Sequence, residues 1–387
     1  MDVGVVGASR NCNERRIVML APVATEADFW AHHNGLRRAG AAVSLMAFER
    51  THYEDKRRDG CWESLGKVEH GRYLARIPKL LAAVPKVLRE TRAGDALYCF
   101  GLDMLGLGWA VSVLRRRTCP LVLATRDIHS VLVGSSGRAR LLRALERFLV
   151  KRTLLVVCTS DYYVKKYYLE QQGLSDARYA ILENKLDAEK LPSRELPPRE
   201  RTDGVLTIGY FGLLRCPTSW DFLRRLAETG AGRIRVVAAG LPTGIEDIES
   251  DVAAGPYLEY RGPYLSPDDL PDLYSRVDLV WTIYPYGVPN QQWARTNRYY
   301  VAGYFRRPMI AQRNTPDGYE VERSGIGVLI DLDSPDEAIA AVLGITGTQL
   351  GQWENNYDAI DVARFTITND YERVLEEMCD AERGVGR

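Results

Sequence analysis

The chain has no excess of charge of either sign: lysine plus arginine and aspartate plus glutamate each number 51. This balance excludes a protein that holds nucleic acid by bulk neutralisation of phosphates. Cysteine is sparse and scattered. Cys12, Cys61, Cys99, Cys119, Cys158, Cys216 and Cys379 form no Cys-x-x-Cys and no close pair, so a disulfide framework is not expected and a reducing cytoplasm is. The histidines, His32, His33, His52, His70 and His129, show no metal-ligand spacing. His32 and His33 adjoin on one helix, point to different faces and read as structural. No apolar run approaches the ~20 residues that span a bilayer. The opening MDVGVVGASRNCNERR lacks the basic start and sustained apolar segment of a signal peptide. Its Gly4 and Gly7 fall short of G-x-G-x-x-G and no apolar helix follows, so no nicotinamide site is expected there.

What the sequence does have is alternation. Its 387 residues, 46% hydrophobic, suffice for two domains with separate cores. Short β-rich runs (RIVMLA, AAVSLMAF, DALYCF, PLVLAT, LLVVCTS) are separated by amphipathic stretches such as ATEADFWAHHNGLRRAG. That order predicts a parallel sheet with crossover helices. A polar, Pro-rich interval from Lys190 to Gly204 reads as a linker. The alternation then restarts with VLTIGYFG, IRVVAAG, YLEYRG, DLVWTIY, PMIAQ and GVLIDL, and the tail from Trp353 is helical in pattern. The expected division is a first α/β domain over 1–189, a linker over 190–204, a second α/β domain over 205–365 and a closing helical segment over 366–387.

Ligands of open α/β sheets bind beyond the carboxyl ends of the strands, which directs attention to the segments just after strands. In IGYFGLLRCPTSWDFLRRL a strand ends, Gly212 turns, and Arg215 precedes a helix starting between Pro217 and Ser219. Backbone N–H groups at a helix start together with a guanidinium suit diphosphate oxygens. After DLVWTIY comes a Pro/Gly loop with Asn290, Gln291, Gln292 and Trp293, then a helix beginning near Thr296. Amides suit sugar hydroxyls without the desolvation cost of a charge, and the helix start again favours phosphate.

The first domain offers Asp127 and His129 in LATRDIHS, at the end of a strand. They read either as acceptor-side acid–base groups or as a helix cap and an exposed histidine. Thr25, Glu26 and Trp30, from the loop and helix start after the first strand, are the candidate acceptor contacts. In GRARLLRALERFLVKR, Arg140, Arg143, Arg147 and Lys151 share one helical face, and Leu141, Leu142, Leu145, Phe148 and Leu149 the other. The favoured expectation is a packed apolar face under a solvated basic one. Association with an anionic membrane surface is the less favoured reading.

The succession of GYFGLLR, GPYLSPDDLPDLYSRVDLVW and NRYYVAGYFRRPMIA resembles the C-terminal half of GT-B glycosyltransferases of the family 4 type. ERFLVKRTLLVVCTSDYYVKKYY is similar to the end of that family's first domain, and ARFTITNDYERVLEEM to its terminal helix, so the resemblance covers essentially the whole chain. It implies two Rossmann-like domains facing across a cleft, the first binding acceptor and the second nucleotide sugar, with the last helix crossing back to the first. The implied reaction moves a sugar from a UDP or GDP type donor to a hydroxyl or amine of a small-molecule, glycan or lipid-linked acceptor. The resemblance further implies retention of configuration, with no metal or other cofactor and no nucleic-acid partner. Arg215 matches the family's basic residue on the donor phosphates, and Gly262, Pro263 and Tyr264 match the segment lining the base. The family's two glutamates, eight positions apart, fall at Trp293 and Val301. The ribose contact would then pass to a neighbour such as Asn297 or Tyr300. If the reaction inverts, Asp127 or His129 is the general base. A GT-B epimerase and a catalytically silent nucleotide-sugar-binding protein are the alternative readings.

Overall fold

The computed structural model describes residues 15–50, 62–68, 76–196, 204–284 and 292–385. Its contacts divide the chain into one unit of Met1–Leu182 with Asn369–Arg387 and another of Glu183–Thr368. The first holds a seven-stranded sheet of β1 (Arg16–Ala21), β2 (Ala42–Arg50), β3 (Trp62–Val68), β4 (Ala96–Phe100), β5 (Leu121–Thr125), β6 (Leu155–Cys158) and β7 (Tyr179–Ile181). Their order is β3-β2-β1-β4-β5-β6-β7, and every pairing is parallel. The central strands are buried along their whole length, as a sheet covered by helices on both faces requires.

The second unit holds β8 (Leu206–Leu213), β9 (Ile234–Leu241), β10 (Leu258–Tyr260), β11 (Leu279–Trp281), β12 (Met309–Gln312) and β13 (Gly327–Ile330). Their order, β10-β9-β8-β11-β12-β13, is again parallel. One face of this sheet packs Tyr210, Trp220 and Trp281; the other packs Phe211, Tyr274, Tyr299, Tyr300 and Phe365. In each sheet the strand order reverses once, between β1 and β4 and between β8 and β11. Such reversals leave a crevice where two helices depart to opposite faces.

The segment after Leu182 packs on the second unit. Arg194 Nε donates to the Tyr304 carbonyl at 2.6 Å, and the Tyr304 hydroxyl to that of Pro192 at 2.8 Å. The C-terminal helix, Asp370–Val385, belongs to the first unit. Its Tyr371 ring lies so close to the Ala27–Arg38 helix that a Cβ on Gly35 would sit 2.2 Å from it. Tyr371 also meets the His32 ring edge-on at 5.8 Å. His32 is buried, with Nδ1 2.9 Å from the Tyr98 hydroxyl, and burial lowers its pKa to about 3.

Two expectations need correction. The Gly137–Val150 helix does not bury its leucine stripe: Leu141, Leu145 and Phe148 are exposed, and Ala139, Glu146, Leu149 and Val150 face inward. Polar anchors fix this rotation. The Glu146 carboxylate accepts from the Tyr167 hydroxyl and from Gln172 Nε2, Arg143 donates to the Leu132 and Gly134 carbonyls, and Arg147 donates to that of Gln172. Secondly, Cys99, Cys119, Cys158 and Cys216 are buried, but Cys379 is disulfide-bonded, which its isolated place in the sequence did not lead us to expect.

Candidate functional site

The candidate groups of the second unit lie around the reversal between β8 and β11. At the end of β8 the backbone closes tightly on β9: Gly212 pairs with Gly240, and a Cβ on Gly240 would fall 1.7 Å from the Gly212 carbonyl oxygen. With φ at +129° as well, Gly240 must be glycine. Gly240 N–H donates to the Gly262 carbonyl at 2.8 Å, which brings the Gly262–Pro263–Tyr264 segment to the same end of the sheet. The Tyr264 hydroxyl lies 3.9 Å from where a Gly212 Cβ would be. Burial pushes the Tyr264 phenol pKa up, and the nearby Arg298 guanidinium opposes that shift.

Arg215 follows, half-buried, just before the Pro217–Gly230 helix. Proline at the first helical position has no N–H to leave unpaired, and the Cys216 sulfur accepts from the Ser219 N–H. Gly244 seats against the Arg215 backbone, where a Cβ would meet its carbonyl oxygen at 2.7 Å. The guanidinium stacks 4.6 Å from the Tyr284 ring centroid and donates through Nη2 to the Tyr284 hydroxyl. Tyr284 lies just past β11, so an aromatic from one side of the reversal holds an arginine from the other.

A second arginine was not singled out by the sequence. Arg298, in the first turn of the Asn297–Tyr304 helix, donates Nη2 to the Ile283 carbonyl at 2.9 Å and lies 5.0 Å from the Tyr210 ring. Its Nη1 is buried without a partner. Ile283 and Tyr284 are neighbours, so both guanidiniums gather at the end of β11.

Thr296 caps the Asn297–Tyr304 helix by accepting from the Tyr299 N–H at 3.1 Å. Its own N–H donates to Asp317 Oδ2 at 3.1 Å. Asp317 is 3% exposed, and its other oxygen has no partner. Burial pushes its pKa up to about 6, with the positive charge of Arg295 resisting. Arg295 is itself held by Glu183 at 2.9 Å. Asp317 lines a cavity of about 20 Å³ together with Thr282, Gln292, Thr296, Gln312 and Thr315, a volume that fits about one water or hydroxyl group. Asp317 sits in the first turn of the Pro316–Ser324 helix, and hydrogen bonds tie down the approach to it. Gln312 holds Asp331 and the Leu332 N–H, and the Thr315 hydroxyl bridges the Gln312 carbonyl and the Gly318 N–H.

The expected donor-side residues differ in burial. Asn290 and Gln291 lie outside the described residues, as do Gly4 and Gly7. Gln292 lines the cavity, Trp293 is half-buried, and Asn297 is exposed at the helix start. Tyr300 is wholly buried and packs edge-on against Tyr299 at 5.3 Å, so its ring is core rather than ribose contact. Arg298 and Asp317 were missed, although TPDG right after an apolar strand carries the signal: a carboxylate at a helix start beyond a strand's carboxyl end.

In the first unit, Asp127 and His129 follow β5 and are exposed. Asp127 accepts from the Tyr163 hydroxyl at 3.2 Å, and His129 caps a short helix by accepting from the Val131 N–H. Thr25 is half-buried. Glu26 pairs with Arg126, which also reaches Asp28 at 3.2 Å. Trp30 is only 8% exposed, and its Nε1 donates to the Ala24 carbonyl at 2.9 Å, so it packs its own loop rather than presenting its polar edge outward. Among the described residues no group of three or more potential metal ligands occurs.

No family model matches the chain. The succinoglycan biosynthesis protein ExoL of Rhizobium meliloti (strain 1021) is 28% identical over 317 residues, spanning 79% of this chain and 78% of that protein. Among solved structures, sucrose-phosphate synthase from Thermosynechococcus elongatus is similar with a TM-score of 0.66 at 13% identity, over 96% of this chain and 99% of that one. HepE of Anabaena in complex with UDP has a TM-score of 0.63 at 15% identity, over 94% and 100% of the two chains. The fold, two parallel-sheet α/β domains of seven and six strands, is the GT-B glycosyltransferase fold.

Proposed function

We propose that the protein is a glycosyltransferase that takes its sugar from a nucleoside diphosphate donor held by the second unit, as a family 4 type enzyme with retention. The observation that carries this reading is the convergence of Arg215 and Arg298 at the strand reversal, beside the starts of two helices and next to a buried carboxylate with one unpaired oxygen. Guanidiniums and helix N–H groups suit the diphosphate and the charge that grows on it as the glycosidic bond breaks. The Gly262–Tyr264 segment would lie along the base. Asp317 Oδ1 would accept from a hydroxyl of the donor, taking over the work of the carboxylates absent at Trp293 and Val301. Arginine carries the leaving-group charge in this scheme, so no metal is assigned a role.

HepE was solved with UDP, which supports a uridine nucleotide ahead of a guanosine one. The likeness to a succinoglycan biosynthesis protein supports a glycan acceptor, free or lipid-linked. On the acceptor side the exposed Asp127 and His129 stay the candidates, with a leaving phosphate oxygen taking the proton if configuration is retained.

The test is thermal unfolding with UDP, GDP, dTDP and ADP, because a ligand that binds only the folded state raises its stability. A shift with UDP that disappears in Arg215→Ala and Arg298→Ala is expected. Absence of a shift with all four, in a folded sample, overturns the reading.

A further inference from the structure

We propose that the outward face of the Gly137–Val150 helix, continued by the end of the Gly101–Leu114 helix, docks onto an anionic lipid surface. Leu141, Leu145 and Phe148 are 71%, 48% and 40% exposed, and their spacing of four and three places them in one stripe. Arg138 and Arg152 extend that stripe at its two ends; the Arg152 guanidinium sits 3.6 Å over the Phe148 ring. The stripe does not stop at one helix. Trp109 meets Phe148 edge-on at 5.6 Å, and exposed Val113, one turn further along, leads to exposed Leu114 and to Arg116 and Arg117.

This apolar face is turned outward by construction. Glu146, Arg143 and Arg147 are tied on the inner side to Tyr167, Gln172 and backbone carbonyls, so the helix cannot roll its leucines inward without breaking buried polar pairs. Glu146 is also the helix's one acid and it is buried. What remains on the surface is leucine and phenylalanine rimmed by Arg138, Arg140, Lys151 and Arg152.

Charge selects the occupant. A second copy of this face would set arginine against arginine, and a nucleic acid would leave the leucines against phosphate. A lipid surface with acidic headgroups takes both parts, leucine and phenylalanine entering the acyl boundary while the arginine stems reach up to the headgroups. Arg116 and Arg117, exposed just past the end of the Gly101–Leu114 helix, add two cations close in sequence to Val113 and Leu114. The inference is independent of the donor site.

The experiment is co-sedimentation of the full chain with vesicles of phosphatidylcholine alone or mixed with phosphatidylglycerol. Pelleting with the mixed vesicles only, weakened by high salt, is expected. The Leu141→Glu/Leu145→Glu variant should lose it. Arg138→Gln/Arg140→Gln should weaken it roughly thirtyfold, at about fivefold per charge near an anionic surface. All four side chains are outward, so unchanged unfolding temperatures certify both variants. Failure of the natural chain to pellet, or pelleting that the variants leave unaltered, overturns the proposal. So does a lipid-free dimer that Leu141→Glu dissociates, which would make the patch a contact between copies.

Discussion

Replacing Asp317 by asparagine should make the ligand-free protein more stable at neutral pH while weakening its hold on the donor. Burial lifts the folded-state pKa of Asp317 to about 6 from an ordinary 3.8. The folded protein therefore binds this proton more tightly than the unfolded chain does. Between those two values stability falls as pH rises, and above them the cost is complete. A shift of about two units corresponds to about 3 kcal/mol. That cost is already net of the Thr296 N–H bond, which works against the shift, and asparagine escapes it while its own carbonyl oxygen can still accept from Thr296. The net expectation is a gain of up to about 3 kcal/mol at pH 7 that shrinks to nothing or reverses near pH 4. Urea unfolding of both proteins at the two pH values measures it, and nucleotide-sugar titration should show donor affinity down by about tenfold or more. A variant less stable than the natural protein by the same amount at both pH values would refute the reasoning, since Asp317 would then be a satisfied structural carboxylate.

Arg298→Ala removes a guanidinium with one unpaired buried nitrogen and should raise the nucleoside diphosphate Kd by roughly 10- to 100-fold in calorimetry, with a smaller loss of stability from its Tyr210 contact. Gly240→Ala would drive a methyl into the Gly212 carbonyl at 1.7 Å and should cost on the order of 3 kcal/mol or more, seen as a lower urea midpoint. Gly35→Val sets a side chain against the Tyr371 ring and should cost about 1–3 kcal/mol. Hydrogen exchange in the Asp370–Val385 helix should rise with it.

Much of the architecture could be read from the chain because the core strands are short, mainly apolar runs separated by helical or turn-rich stretches, as in LTIGYFG and IRVVAAG. β3, WESLGKV, alternates weakly and carries glycine and lysine, so its place at the sheet edge came only with the structure. The Gly137–Val150 helix shows the limit of periodicity. Its pattern gave an apolar stripe correctly, but which side turns inward depends on Tyr167 and Gln172, residues well beyond the helix, and on the choice of Glu146 as the buried anchor.

The site divides the same way. The place of Arg215, between a strand end and a helix start, was legible because strand, glycine, arginine and helix follow in order; its partner Tyr284 comes 69 positions later. Trp30 looked like a contact because it lies at the helix start after the first strand, yet its indole N–H is used locally by Ala24. Tyr300 and Asn297 are equivalent in a string of letters, and one is core while the other is exposed. Asp317 is defined by an absence, an unpaired oxygen, and no residue pattern reports that a partner is missing.

The most direct test of the central claim is release of nucleoside diphosphate from a panel of UDP- and GDP-sugars, with water as the default acceptor. The account predicts slow release from at least one UDP-sugar, reduced at least a hundredfold in Arg215→Ala. Tight nucleotide-sugar binding without release, even with added glycan and lipid-linked acceptors, would contradict it and make the protein a binder on a glycosyltransferase scaffold.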